Sequence, residues 1–282
     1  TNLPGSSLLA EKTLGIGRER ELPSFSRTSL QQWDRGRRPA VSEREADRKA
    51  LLIADPYTNY TQPEVGKAAV RTLEAAGVHV EIPDSVTDSG RPAHSKSLLE
   101  RARATASENV DALAPRVADG WDVVSVEPSD AVMYQEDYLD LLAGDDVEAV
   151  ADNTYSVMEY LDSFRLDEGL DTDAEETLSY HGHCHQTAAG REHHAVGVLR
   201  RAGYEVDVLD TTCCGMAGSF GYEAEHYSMS QAIGRLLFDA VDDSPAETVV
   251  APGTSCRSQV GDSGRYDGKP PHPVEKLADA LQ

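Results

Sequence analysis

The chain has 282 residues, 39% of them hydrophobic, enough to bury a sizeable core and to form two modest domains. Its 49 acidic and 26 basic residues leave a formal charge of -23 spread along the chain, which argues against nucleic-acid binding. Only 6 of the basic residues are lysine, and an acidic, lysine-poor surface over an ordinary core is the pattern of a protein kept soluble in strong salt, so a halophile source is expected. No apolar run approaches the roughly 18 residues of a membrane span, and the first residues lack the pattern of a signal peptide; the expected location is the cytoplasm.

Residues 1–47, with Pro4, Gly5, Pro23 and Pro39 among scattered Arg and Glu, have no sustained periodicity and read as an arm or linker. Residues 48–168 read as a first unit of strand, helix, strand, loop, helix, strand and helix, opened by the apolar run LLIA at residue 51. Thr61 and Glu64 have capping-box spacing ahead of its first helix, with Pro63 between them. Asp145 to Leu166 can form one helix, and Asp167 to Glu176 an acidic connection. Residues 169–282 repeat the alternation from LSYH at residue 178.

The second unit repeats residues as well as elements. Ala69, Val70, Leu73, Ala76 and Gly77 recur 126 positions later as Ala195, Val196, Leu199, Ala202 and Gly203. The spacing makes one apolar helical stripe closed by a glycine suited to a left-handed C-terminus. The same shift carries Val80 to Val206, Asp84 to Asp210, and Val123, Val124 and Ser129 to Val249, Val250 and Ser255. The expected fold is α/β: a tandem of two small parallel-sheet units related by pseudo-twofold symmetry.

All four cysteines fall in the second unit: Cys184 in HGHCHQ, Cys213 and Cys214 in TTCCGMAGSFG, and Cys256 in APGTSCRSQ. Each site follows a predicted strand, and in a parallel sheet the C-terminal edge is where side chains from separate strands converge on a ligand. Four sulfurs there can close a metal site. Adjacent cysteines diverge too much to grip one tetrahedral ion easily, yet reach different irons of a cluster, so the Cys-Cys pair favours iron–sulfur over zinc. Gly215, Gly218 and Gly221 would let the loop fold closely over it. A zinc site, with His181, His183 or His185 recruited, is the alternative, and His183 and His185 are carried as further metal candidates. The three histidines alternate and, if the strand continues through them, share one side. In the first unit Asp88 and Ser89 stand at the cysteine pair and Asp130 at Cys256, with Asp55 near Cys184, leaving no thiolates there. The Gly-rich GMAGSFG lacks the G-x-G-x-x-G pattern and the P-loop lysine.

HGHCHQ, CCGMAGSFGYEAEHYSMS, GTSCRSQ and HPVEKLADAL, with GRPAHSKSLLERAR in the first copy and ELPSFSRTSLQQW ahead of it, resemble a known family. This is the cysteine-rich CCG domain of heterodisulfide reductases and of the glycolate oxidase iron–sulfur subunit. The likeness extends to the C-terminal part of FAD-linked oxidases that fuse a flavin domain, a ferredoxin-type domain and a tandem CCG region, described as D-lactate or related D-2-hydroxyacid dehydrogenases. The resemblance implies a [4Fe-4S] cluster on Cys184, Cys213, Cys214 and Cys256. Gln259 occupies the position of a further cysteine in the full pattern. It also implies FAD on a partner domain or subunit, a ferredoxin-type iron–sulfur domain as neighbour, and electrons passing toward a membrane quinone from a protein peripheral to the inner face of the membrane. Two other functions stay open: a zinc-stabilised docking module, and a thiol-disulfide reductase component of the heterodisulfide type.

Overall fold

In a computed structural model, which describes residues 11–211, 213–266 and 268–282, the chain forms two parallel sheets. The first has the order β2-β1-β3-β4, with β1 at Arg48–Ile53, β2 at Val78–Glu81, β3 at Trp121–Ser125 and β4 at Thr154–Ser156. The second has the order β6-β5-β7, with β5 at Thr177–Tyr180, β6 at Glu205–Val208 and β7 at Thr248–Val250. In both, the first strand of the unit lies between the second and the third, as right-handed crossovers through intervening helices permit.

The register repeats too. Ala50 is flanked by Val80 and Asp122, and Leu178 by Val206 and Thr248, both flanks displaced by the same 126 positions. The recurring stripe lies on the helices Pro63–Ala75 and His193–Arg201, where Ala69, Val70, Leu73, Ala195, Val196 and Leu199 are all buried. Gly77 and Gly203 follow those helices with φ of 80° and 108°, the left-handed region a side chain resists.

The largest apolar cluster is shared by the units. It joins Leu52, Leu73 and Val80 of the first to Leu178, Leu199 and Leu277 of the second, and the helix Pro63–Ala75 packs on Pro273–Ala280. Removing a buried leucine from such a core costs about 2–5 kcal/mol. The two sheets therefore stabilise one another through a common core.

Two local expectations are corrected. Thr61 does not cap the helix Pro63–Ala75: it ends the short helix Pro56–Tyr60, its hydroxyl donates to the Tyr57 carbonyl, and Gln62 takes the N-cap position because proline fits the first helical turn. Asp145 to Leu166 is not one helix either. Asp145–Asp152 ends at Asn153, Thr154–Ser156 becomes β4, and a capping box of Ser156 with Glu159 starts the helix Val157–Ser163. The exposed parallel edge of β3 selects the strand for that short stretch, in which β-branched and aromatic residues tolerate extension.

In the span read as an arm, Leu30–Asp34 is a capped helix, with Leu30 wholly buried in the shared core. Residues 1–10 of that reading lie outside the described residues.

Candidate metal centre

The second sheet delivers its cysteines from three strand ends. β5 stops at Tyr180, and His181 extends the ladder by one bond, its N–H donating to the Val250 carbonyl at 3.0 Å. Gly182 breaks the line, His183 caps the helix Cys184–Ala188, and Cys184 begins that helix, exposed to solvent. Beyond β6 the chain turns into the Cys213–Cys214–Gly215 loop, and beyond β7 the helix Thr254–Asp262 carries Cys256 in its first turn. Cys214 and Cys256 are buried, Cys213 half-buried.

The tightest group of donors is His181, Cys214 and Cys256, whose ligand atoms all lie within 4.8 Å of one another. Among the described residues, His181 Nε2 is buried without a hydrogen-bond partner, while its Nδ1 lies 2.7 Å from the Thr211 hydroxyl. Burial lowers this imidazole to a pKa of about 4, so it is neutral at pH 7, and when Nδ1 donates to Thr211 the lone pair falls on Nε2. An orphaned buried nitrogen facing two buried thiols is a donor set that a thiophilic cation completes.

The neighbouring thiols shift one another's protonation. Contact with the Cys214 thiol, and then burial, raise Cys213 far above the ordinary thiol range. For Cys214 the contact with Cys213 acts downward, but the contact with Cys256 and burial outweigh it, and the net shift is upward. Burial, joined by the Cys213 thiol, raises Cys184 as well, although Cys184 lies outside the tight group of donors. A bound cation reverses this preference, because it stabilises the thiolate.

Glycine shapes the loop. Gly215 has φ of 86°, its N–H donates to Cys213 Sγ at 3.3 Å, and a Cβ there would stand 2.3 Å from the Ser230 carbonyl oxygen. The loop is thus pressed against the helix Tyr227–Asp243 as only glycine permits.

The histidine in this group is His181; His183 and His185 lie apart from it. The strand ends before them, so the alternation that would put all three on one side does not extend past His181. His183 points across to the first unit, its Nε2 3.8 Å from Glu127 Oε1 while its Nδ1 accepts from the His185 N–H. It needs the space above Gly253, where a Cβ would come within 2.3 Å of its ring. Glu127 also accepts from the Thr254 N–H at 2.9 Å, which ties the first unit to the start of the Cys256 helix.

The first unit copies the arrangement in oxygen. Gly90, with φ of 83°, donates to Asp88 as Gly215 does to Cys213, and the Ser89 hydroxyl donates to Asp130 at 2.5 Å where Cys214 meets Cys256. Asp55, at the end of β1, caps the helix Pro56–Tyr60 through one oxygen, while the other is buried without a hydrogen-bond partner among the described residues. Burial chiefly, with the Glu127 charge adding to it, raises Asp55 to about 6. Burial, with the charges of Asp55 and Glu127, raises Asp130 strongly.

A parallel-sheet edge that carries four cysteines beyond its strand ends, with His181, Cys214 and Cys256 drawn together, is a candidate metal site. Residues 178–261 match the family model CCG, described as a cysteine-rich domain. Over its whole length the chain is 28% identical to one of the subunits of the anaerobic glycerol-3-phosphate dehydrogenase of Escherichia coli (strain K12), covering 71% of that protein. It is 30% identical to D-2-hydroxyglutarate dehydrogenase of the same organism, again over the whole chain but over only 28% of that larger protein. Over 78% of the chain it is 26% identical to lactate utilization protein A of Bacillus velezensis, covering 93% of it.

Among the described residues no helix is long and apolar enough to cross a membrane.

Proposed function

We propose that the chain is the iron–sulfur electron-transfer module of a larger flavin-linked dehydrogenase, with Cys184, Cys213, Cys214 and Cys256 holding a [4Fe-4S] cluster. The observation that supports this reading is the position of all four cysteines beyond the ends of β5, β6 and β7, with the donor atoms of Cys214, Cys256 and His181 within 4.8 Å of one another. Its relatives support the oxidoreductase setting, since two of the three bear dehydrogenase names. When bound, the cluster would supply a one-electron store; the chain's own part is to bind it and to bury two of its thiolates. An FAD-bearing partner would oxidise a D-2-hydroxyacid, and the electrons would leave through a ferredoxin-type domain toward a quinone. The two units are proposed as a tandem duplication, with 48–168 and 169–282 as its copies and the first serving as scaffold. The module would work in the cytoplasm or against the inner face of the membrane.

A second reading is favoured by one distance. Donor atoms of His181, Cys214 and Cys256 within 4.8 Å of one another also suit a single zinc ion, which would make the chain a docking module. Iron, acid-labile sulfide and zinc measured on anaerobically purified, reconstituted protein separate the two. About four irons and four sulfides per chain support the cluster, as the cubane class requires. One zinc with no iron or sulfide would establish the docking module instead.

A further inference from the structure

Arg20 lies in the span that reads from sequence as an arm, yet its side chain is completely buried. The segment ahead of it docks on the second unit: Gly17 donates to the Tyr222 carbonyl and Ala224 to the Gly15 carbonyl, each at 2.7 Å, around a bridge between Ile16 and Glu223. The guanidinium then donates from Nε to the Gly221 carbonyl at 2.7 Å, from Nη1 to Gln259 Oε1 at 2.7 Å, and from Nη2 to the Ser230 hydroxyl at 2.8 Å.

Each acceptor belongs to the support of the thiol site. Gly221 ends the glycine-rich loop that begins at Cys213 and Cys214. Gln259 follows Cys256 by three residues, hence on the same face of the helix Thr254–Asp262, and donates to the Ser230 carbonyl at 3.1 Å. That carbonyl is the atom against which Gly215 is pressed. One guanidinium thus fastens the elements carrying Cys213, Cys214 and Cys256. The three closest acceptors are neutral, and Nη1 also pairs with the buried Asp262 carboxylate at 3.5 Å. A thiolate-bound iron–sulfur centre would be a second anion on the far side of the neutral acceptors, and a buried cation stabilises the anions around it.

We propose that Arg20 is a positioning residue of the metal centre, which holds the Cys213–Cys214 loop against the Cys256 helix and favours the reduced state of the centre by its charge. The inference rests on the iron–sulfur reading above. A unit charge within two side chains of a redox centre, at an effective dielectric of about 20, is worth roughly tenfold in the reduction equilibrium.

The test uses the full chain, wild type and the variants Arg20→Lys, Arg20→Gln and Asp262→Asn, reconstituted anaerobically and titrated with dithionite while the reduced centre is followed by EPR. Iron per chain and the circular dichroism of each variant are recorded alongside. Arg20→Gln is expected to make reduction about tenfold less favourable, about 59 mV for a one-electron couple. Arg20→Lys should stay nearer wild type, and Asp262→Asn should shift the other way. If Arg20→Gln does not fold, the opposite shift of Asp262→Asn carries the proposal, and an unshifted midpoint in that variant overturns it. Iron-loaded Arg20→Gln with a wild-type midpoint overturns this inference alone. Wild-type chain that takes up no iron overturns the centre, and this inference with it.

Discussion

The Cys213–Cys214 loop can be tested through two glycines that share a backbone conformation but not a neighbourhood. Gly215 and Gly218 have φ of 86° and 63°, so alanine at either pays the left-handed penalty of roughly 1–2 kcal/mol. At Gly218 a Cβ would meet nothing within 4 Å, and the cost ends there. At Gly215 it would stand 2.3 Å from the Ser230 carbonyl oxygen and 3.1 Å from the Gly234 nitrogen, both backbone atoms of one helix that cannot swing aside. Overpacking of that kind adds roughly 1–3 kcal/mol. Gly215→Ala should therefore destabilise the metal-free protein by about 2–5 kcal/mol, against about 1–2 kcal/mol for Gly218→Ala. Urea unfolding followed by circular dichroism, with m-values compared to ensure the same transition, measures both. Gly215→Ala should also lose bound metal faster, because the displaced loop carries both cysteines. Equal destabilisation by the two substitutions would refute the close packing of the loop on the helix Tyr227–Asp243.

Three further outcomes are expected. Asp55 has a folded pKa raised from 3.8 to about 6, so its contribution is fully present below about pH 4 and is lost as pH rises to 6. Asp55→Asn, which keeps the capping oxygen, should then gain up to about 3 kcal/mol of stability at pH 8 and nothing at pH 3.5; no gain at pH 8 would contradict the burial of an unpaired carboxylate. Zinc added to metal-free protein at pH 6, where ordinary thiols are protonated, should release about four protons per ion if four cysteines ligate and about three if neutral His181 takes one place. A pH-stat titration counts them, and a count that does not fall in Cys184→Ser would remove Cys184 from the ligand set. Melting temperature should rise with added KCl as screening relieves the repulsion of 49 acidic residues against 26 basic ones; an unchanged melting point would dispose of the salt-adapted reading.

Much of the architecture is written locally. The helical stripes around Leu73 and Leu199, the glycines that end them and the short apolar strands depend on neighbours a few residues away, so their periodicity discloses them. Cysteine spacing after three strands likewise discloses a sulfur-lined edge, because a parallel sheet leaves few places for strand ends to go.

Partner choice over long range is what the tertiary structure decided. Thr154–Ser156 became a strand because β3 offered an unpaired edge, against a helical pattern on both sides of it. His181 joined Cys214 and Cys256, and His183 turned to Glu127, because the strand ended between them. Arg20, one of the chain's 20 arginines and set in a segment without periodicity, reaches acceptors more than 200 residues away in the chain. Side-chain pattern reports which face of an element is apolar. It carries no information about which buried polar group will be left needing a partner, and that need is settled only when the elements are packed.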